Sequence, residues 1–344
     1  MRNRMIVVPI LCAVVLVVGL VSSASAKEPE ARTLSYAFYY GMNHPQAIPT
    51  IAWTKKIEQE TNGRIKFKIY PGATLISPTE CFEELKKGVA DLTTLTVAYS
   101  PHGFPIHKGT FAFYYGVPDD TVRRRMFKYQ VAPKFPEILD EFKEVKIVRL
   151  NAGSNYQLMS IKPVRTLEDL KGLTIKATGD LANFIKACGG EGIPMPMSEV
   201  YMALQKGTID GCLAPYETLK AFKFAEAAKY VTILDLTGSP YPSEAMNLDT
   251  WNSLPPDIQN IMSGSQEWWA LEYERVQREK DMEGINFAKE QGVEFIKPSA
   301  QELNQFYEKL HGVCLDAAER LDKMGFRGSE IFSEVRRLLD PLPK

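Results

Sequence analysis

The side chains of this 344-residue chain that are equipped for chemistry are sparse and irregularly spaced. His44, His102, His107 and His311 fall in no HExxH or comparable metal-ligand spacing, and Cys81, Cys188, Cys212 and Cys314 form no CxxC. GxGxxG, GxxxxGK[ST] and GxSxG are absent, so neither a phosphate cradle nor an acyl-transfer nucleophile is encoded. Carboxylate pairs occur at Glu83-Glu84 and Asp119-Asp120, in patterns that fit solvated helix faces or turns better than an acid and base flanking a bond. No catalytic residue, metal site or cofactor is expected.

The charge balance narrows the partners. Lys and Arg number 41 against 42 Asp and Glu, and the longest basic run is Arg123-Arg124-Arg125. The electrostatic footprint of nucleic-acid binding is missing. With 45% hydrophobic and 24% charged residues the composition is globular, and the length suits two medium lobes. Arg2 and Arg4 precede the apolar run Ile6 to Val21, and Ala24-Ser25-Ala26 supplies small residues for signal peptidase. The pattern predicts a signal peptide over 1–26, cleaved after Ala26. An uncleaved anchor would need about 20 apolar residues, and this run is shorter and broken by Pro9. The four cysteines beyond it show no disulfide framework and are expected as small buried hydrophobes.

Strand and helix signals alternate. Leu34 to Tyr40 and Ile65 to Tyr70 read as strands around a helix through Ile51, Trp53 and Ile57. Ser77-Pro78-Thr79-Glu80 reads as a capping box, as does Ser299-Ala300-Gln301-Glu302. Helix 180–187 ends at Gly189-Gly190. The phrase Leu85-Lys86-Lys87-Gly88-Val89-Ala90-Asp91 recurs as Leu204-Gln205-Lys206-Gly207-Thr208-Ile209-Asp210, each closing a helix expected to start at a serine, Ser77 or Ser198. Two α/β lobes of similar build, with a cleft at their strand ends, follow from that repetition. Helical periodicity over 255–291 predicts a long helix, with a kink near Gly264 or a break near Gly284 as the alternative.

Five further stretches resemble the solute-binding subunit of tripartite ATP-independent periplasmic (TRAP) transporters, in the C4-dicarboxylate-binding-protein type. They are 61–65 with Tyr70-Pro71-Gly72, 163–173 (PVRTLEDLKGL), 194–201 (PMPMSEVY), 203–211 (ALQKGTIDG) and Leu254-Pro255. The resemblance covers essentially the whole chain beyond residue 26. It implies an α/β, two-lobed, periplasmic-binding-protein-like fold (type II-like) with a long helix bridging both lobes. It also implies a periplasmic location and delivery of a bound solute to membrane permease subunits. The expected division is 27–152 plus 240–260 in lobe I, 153–239 plus 285–324 in lobe II, 255–291 as the bridging helix and 325–344 as a C-terminal segment. A monomer is expected, with a dimer through that last segment as the alternative.

The resemblance also implies where a ligand would sit and how this chain departs from the family pattern. Lys176 stands where the family has an arginine that grips the ligand carboxylate, and Tyr156 where it has a second arginine. Ala214, followed by Tyr216, replaces an asparagine, and Met197 replaces a phenylalanine. Asn43 and His44 fall at the cleft edge, and Tyr99 and Tyr241 project near it. Lysine keeps the charge but loses the bidentate fork, and the other anchors become aromatic or apolar. The expected ligand is an aromatic or amphipathic monocarboxylate bound by Lys176, Tyr156, Asn43, His44, Tyr99, Met197, Tyr216 and Tyr241. The alternatives are a C4-dicarboxylate or sugar acid in the same fold, or an exported hydrolase. His102 and His107 read as loop residues, and Phe111, Phe113, Tyr114 and Tyr115 as core wall.

Overall fold

The computed structural model describes residues 31–117, 119–238 and 240–339. The expected signal peptide, and 340–344 of the C-terminal segment, lie outside the described residues. The strands in chain order are β1 (Arg32–Ala37), β2 (Ile65–Tyr70), β3 (Leu92–Thr94), β4 (Val145–Asn151), β5 (Tyr156–Ser160), β6 (Thr174–Lys176), β7 (Glu191–Ile193), β8 (Gly211–Ala214), β9 (Tyr230–Leu236), β10 (Tyr241–Asn247) and β11 (Glu294–Ile296). They form two sheets, ordered β2-β1-β3-β10-β4 and β11-β9-β5-β8-β6-β7. The chain passes from the first sheet to the second between β4 and β5 and returns between β9 and β10. In each sheet a strand arriving from the other one, β5 or β10, pairs antiparallel with both neighbours. The β2-β1-β3 and β8-β6-β7 groups pair parallel.

Each sheet is covered on both faces, as its period-2 pattern requires. Leu34, Tyr36 and Leu92 point to one face of the first sheet with Trp53 and Ile57, and Ala37 and Ala245 to the other with Phe82 and Leu85. In the second sheet Leu158 and Leu213 enter one cluster while their neighbours Met159 and Cys212 enter the opposite one. The repeated phrase has a structural basis. Asp91 accepts hydrogen bonds from the Ser35 backbone N–H (2.8 Å) and hydroxyl (2.7 Å) at β1. Asp210 accepts from the Thr174 N–H of β6 (3.0 Å). In both sheets the same aspartate registers the neighbouring parallel strand, and Gly88 and Gly207 turn the chain with φ of 74° and 65°.

Some local expectations change. Helix Cys81–Lys86 starts after Glu80, not at Ser77; it is Glu84 Oε2 that accepts from the Ser77 N–H, at 2.7 Å. Helix Met197–Gln205 follows Pro196 and carries no side-chain cap. Ser299 does cap helix Ala300–Lys323, accepting from the Glu302 N–H at 3.2 Å. Residues Ile106 to Ile138, assigned by sequence order to lobe I, share the hydrophobic cluster of the second sheet. This segment is a succession of short helices with one longer helical run over 120–134, and nothing in its order records which sheet it covers. Helix Gly328–Leu339 presses Ile331, Phe332 and Val335 into that same cluster, so its apolar face is covered within the chain. Cys81, Cys188, Cys212 and Cys314 are buried free thiols.

The 255–291 run is two helices, Pro256–Gly264 and Gln266–Glu290, interrupted at Ser265. The second is the bridge, roughly 37 Å long at the usual rise. Near its start Trp269 stacks on Trp53 at 4.1 Å, while Trp268 is 38% exposed. Near its end Ala288 joins a cluster of the second sheet. Gly284 is no break: a Cβ there would lie 2.1 Å from the Tyr216 carbonyl oxygen, so glycine permits the helix to touch the backbone beside β8. Alanine is about 1 kcal/mol better in a helix, but relieving this clash costs about 1–3 kcal/mol. Gly284→Ala should therefore lower the midpoint of thermal unfolding; an unchanged or raised midpoint would refute the close approach.

Candidate functional site

The C-terminal ends of the parallel strands in both sheets converge on one cleft that is open to solvent. Residues following β1, β3, β6 and β8 line it, together with the entries of the crossing strands at Tyr156 and Tyr241. This is where open α/β sheets place ligands. Its wall is largely aromatic. Tyr39 meets Tyr99 edge-on at 6.4 Å, and Phe111 meets Tyr156 at 6.1 Å. His107 meets Tyr241 at 5.7 Å, and His44, from the first sheet's side, meets Phe222 of the second at 5.5 Å.

Few charges face this surface. Burial pushes His44 and His107 down to about 4, and His44 Nδ1 accepts from the Gln46 N–H at 3.2 Å, so both rings are neutral at pH 7. Lys108 lines the cleft and donates to the Ser100 carbonyl at 2.7 Å; burial lowers its pKa. Lys176 lies at the end of β6, just behind the lining. Its Nζ has one hydrogen-bond partner among the described residues, the Met197 thioether at 3.8 Å, and burial pushes it down to about 8. Glu217, on the turn after β8, lines the cleft with its carboxyl beside that of Asp281 on the bridging helix. Burial and that neighbour raise Glu217 well above the usual carboxylate range. Among the described residues no group of three or more His, Cys, Asp or Glu side chains is arranged to hold a metal ion.

An open cleft walled by aromatic rings and neutral histidines, with Lys108 on its wall and Lys176 just behind it, is suited to holding a small molecule. The family of bacterial extracellular solute-binding proteins, family 7, matches residues 37–320. The chain belongs to that family. It is a TRAP solute-binding subunit, the substrate-binding component of a transporter, of a kind that acts in the periplasm. It is 23% identical over 295 residues to the sialic acid-binding periplasmic protein SiaP of Vibrio cholerae, covering 85% of this chain and 91% of that one. A TRAP solute-binding protein from Desulfovibrio salexigens, in an open form, is 28% identical with a TM-score of 0.76 over 90% of this chain and 96% of that one. One from Rhodoferax ferrireducens, in complex with copurified benzoate, is 25% identical with a TM-score of 0.81 over 90% and 98%.

Within this solute-binding fold the cleft brings together Tyr156, His44, Tyr99, Met197 and Tyr241. Lys176 reaches it only through Met197. Asn43 is exposed and does not line it. Tyr216 turns the other way, lining a second cavity with Asp119, Ser154 and Asp281, while its neighbours Pro215 and Glu217 face the cleft. Reading the sequence missed Tyr39, Lys108, Glu217 and Phe222. His107 is no loop residue: it is buried in helix Pro105–Gly109 and lines the cleft, and Phe111 lines it too, whereas Phe113 and Tyr114 are core. Pro105 at the start of a helix was the one local signal for His107.

The neutral histidines give the fold an acid-side liability. His107 binds its proton at about 4 when folded and near 6.5 when unfolded, so the unfolded chain gains protons first as pH falls. The stability contributed is full above about pH 6.5 and is lost between there and about pH 4, up to about 3 kcal/mol for the group. Urea melts of wild type and His107→Gln across that range should show a shallower decline in the variant; parallel declines would mean His107 is not buried neutral.

Proposed function

We propose that this TRAP solute-binding protein captures an aromatic or amphipathic monocarboxylate in the cleft and delivers it to membrane permease subunits. The observation that carries the reading is Lys176. A buried ammonium whose one hydrogen-bond partner among the described residues is a thioether is poorly compensated, and a carboxylate entering past Met197 would supply the missing charge. Rings of Tyr39, Tyr99, Phe111, Tyr156, Phe222 and Tyr241 suit an aromatic body by stacked or edge contacts. No arginine lies among the lining residues, where a dicarboxylate or a polyhydroxylated sugar acid would gain from a bidentate fork. The benzoate found with the Rhodoferax ferrireducens relative supports the aromatic reading. Lys108, the second cation on the wall, favours the competing one, a C4-dicarboxylate or a sugar acid such as the sialic acid of the Vibrio cholerae relative.

A thermal-shift screen separates them. Benzoate, phenylacetate or indole-3-acetate at a hundred times its Kd should raise the melting midpoint by about 5 °C. Lys176→Ala should abolish the shift. Succinate, malate or sialic acid outperforming every aromatic acid would overturn the proposal.

Lys176 also sets a pH signature. With the free ammonium titrating at about 8 and a bound carboxylate raising that value, affinity is full below about pH 8. Above it, affinity should fall about tenfold per pH unit until the raised value in the complex is reached. Calorimetric titrations from pH 7 to 9.5 read this directly; a flat profile would remove Lys176 from the site.

A further inference from the structure

Glu217 is a second polar group in the cleft wall that packing alone does not explain. The residue is 8% exposed and lines the cleft; its Oε2 is buried without a hydrogen bond among the described residues, and the Asp281 carboxyl and Gln277 side chain of the bridging helix lie beside its carboxyl. Its position is held from behind. The Glu217 N–H donates to Asp281 Oδ1 at 3.0 Å, Gln277 Nε2 reaches the same oxygen at 3.3 Å, and Gly284 lets the bridging helix touch the adjacent Tyr216 carbonyl. A buried carboxyl beside a second carboxyl retains a proton, so Glu217 adds hydrogen-bonding capacity to the cleft without charge that would repel a carboxylate. Lys176 lies toward helix Met197–Gln205, whereas Glu217 lies toward the bridging helix. Both residues follow neighbouring strands of the second sheet, β6 and β8, so a ligand anchored at Lys176 would lie along that side of the cleft to reach Glu217.

We propose that Glu217 is a specificity-determining residue whose carboxyl accepts a hydrogen bond from an O–H or N–H carried on the ligand's ring, remote from the ligand carboxylate. The ligand class is then narrower: an aromatic monocarboxylate with one such donor, of the hydroxyphenyl or indolyl kind. This inference rests on the aromatic-acid reading above. A buried acceptor left unmatched penalises an analogue lacking the donor, and sites that hydrogen-bond a substrate group discriminate more sharply than apolar pockets do.

Calorimetry with matched pairs tests it: 4-hydroxyphenylacetate against 4-fluorophenylacetate, and indole-3-acetate against benzothiophene-3-acetate, each pair close in shape and differing in the donor. In wild type the donor-bearing member of at least one pair should bind about tenfold or more tighter. The preference should survive in Glu217→Gln, whose amide oxygen still accepts, and disappear in Glu217→Leu. Glu217→Asp, which withdraws the oxygens by one methylene, should lose it too and serves if the leucine variant does not fold. Equal affinities within both pairs in wild type, or a preference that persists in Glu217→Leu or Glu217→Asp, would overturn the role of Glu217 while leaving aromatic-acid binding intact. No binding by any of the four acids would overturn both readings.

Discussion

One guanidinium that never meets bulk water ties the bridging helix to the first sheet. Arg149 on β4 faces Glu244 on β10, the partners of the first sheet that lead into and return from the second, and donates to it at 2.7 Å. Its flat face lies 4.5 Å from the ring centre of Trp269 and 4.9 Å from that of Tyr273 on the bridging helix. Strands β4 and β10 and the bridging helix thus meet at one charge. Buried pairs of this kind add little net stability against an apolar substitute, but breaking one strands the other charge. Their value is directional. Glu244 Oε2 also accepts from Tyr36 (2.6 Å) and Thr94 (2.9 Å), Thr94 shares a hydrogen bond with Tyr40, and Tyr40 stacks on His44 at 4.7 Å. A continuous polar chain runs from the bridging helix to the rim of the cleft.

That chain explains why the cleft can be so apolar. Glu244 and the hydroxyls of Tyr36, Tyr40 and Thr94 are paired with one another behind the wall, leaving rings in front. It also divides the wall by origin. Tyr39, His44 and Tyr241 come from the first sheet, while Met197, Leu213, Glu217 and Phe222 come from the second. Lys108 and Phe111 arrive through the segment Ile106 to Ile138, which leaves the first sheet in sequence but packs into the second sheet's core. Lys176 thus belongs to the second sheet, Lys108 comes from a segment packed on that sheet's core and reaches the Ser100 carbonyl beyond β3, and the first sheet's own lining residues are neutral.

Much of the scaffold was legible in the residues. Period-2 runs such as Ile65 to Tyr70, the 180–187 helix ahead of two glycines and the Ser299 cap all report local physics, and the helix, strand and cap lie where that physics puts them. The duplicated phrase ending in Asp91 and Asp210 also read through, because a strand-registering carboxylate must follow its glycine at a fixed distance. What did not read through depends on long-range contact. Ser77 loses its cap to Glu84, which comes within reach only once the chain has turned. Gly284 looks like a helix breaker until Tyr216 is placed against it. Glu217 looks like one more surface carboxylate until Asp281, 64 residues away, closes over it. His107 was read as a loop residue and Phe111 as core wall, and neither was legible as cleft wall, because a succession of short helices does not state which sheet it covers.

The four thiols carry a consequence for the life of the chain before it is folded. Cys81 and Cys212 lie in separate hydrophobic clusters, and Cys188 and Cys314 in a third. Burial raises all four, with Cys188 and Cys212 pushed up to about 12, so the native protein offers essentially no thiolate to an oxidant. An unfolded chain entering an oxidising compartment has ordinary thiols near 8.5, free to pair in combinations that these cores cannot accommodate. Protection from oxidation is thus a property of the finished packing alone, and reaching it is a race between collapse of the two sheets and disulfide formation.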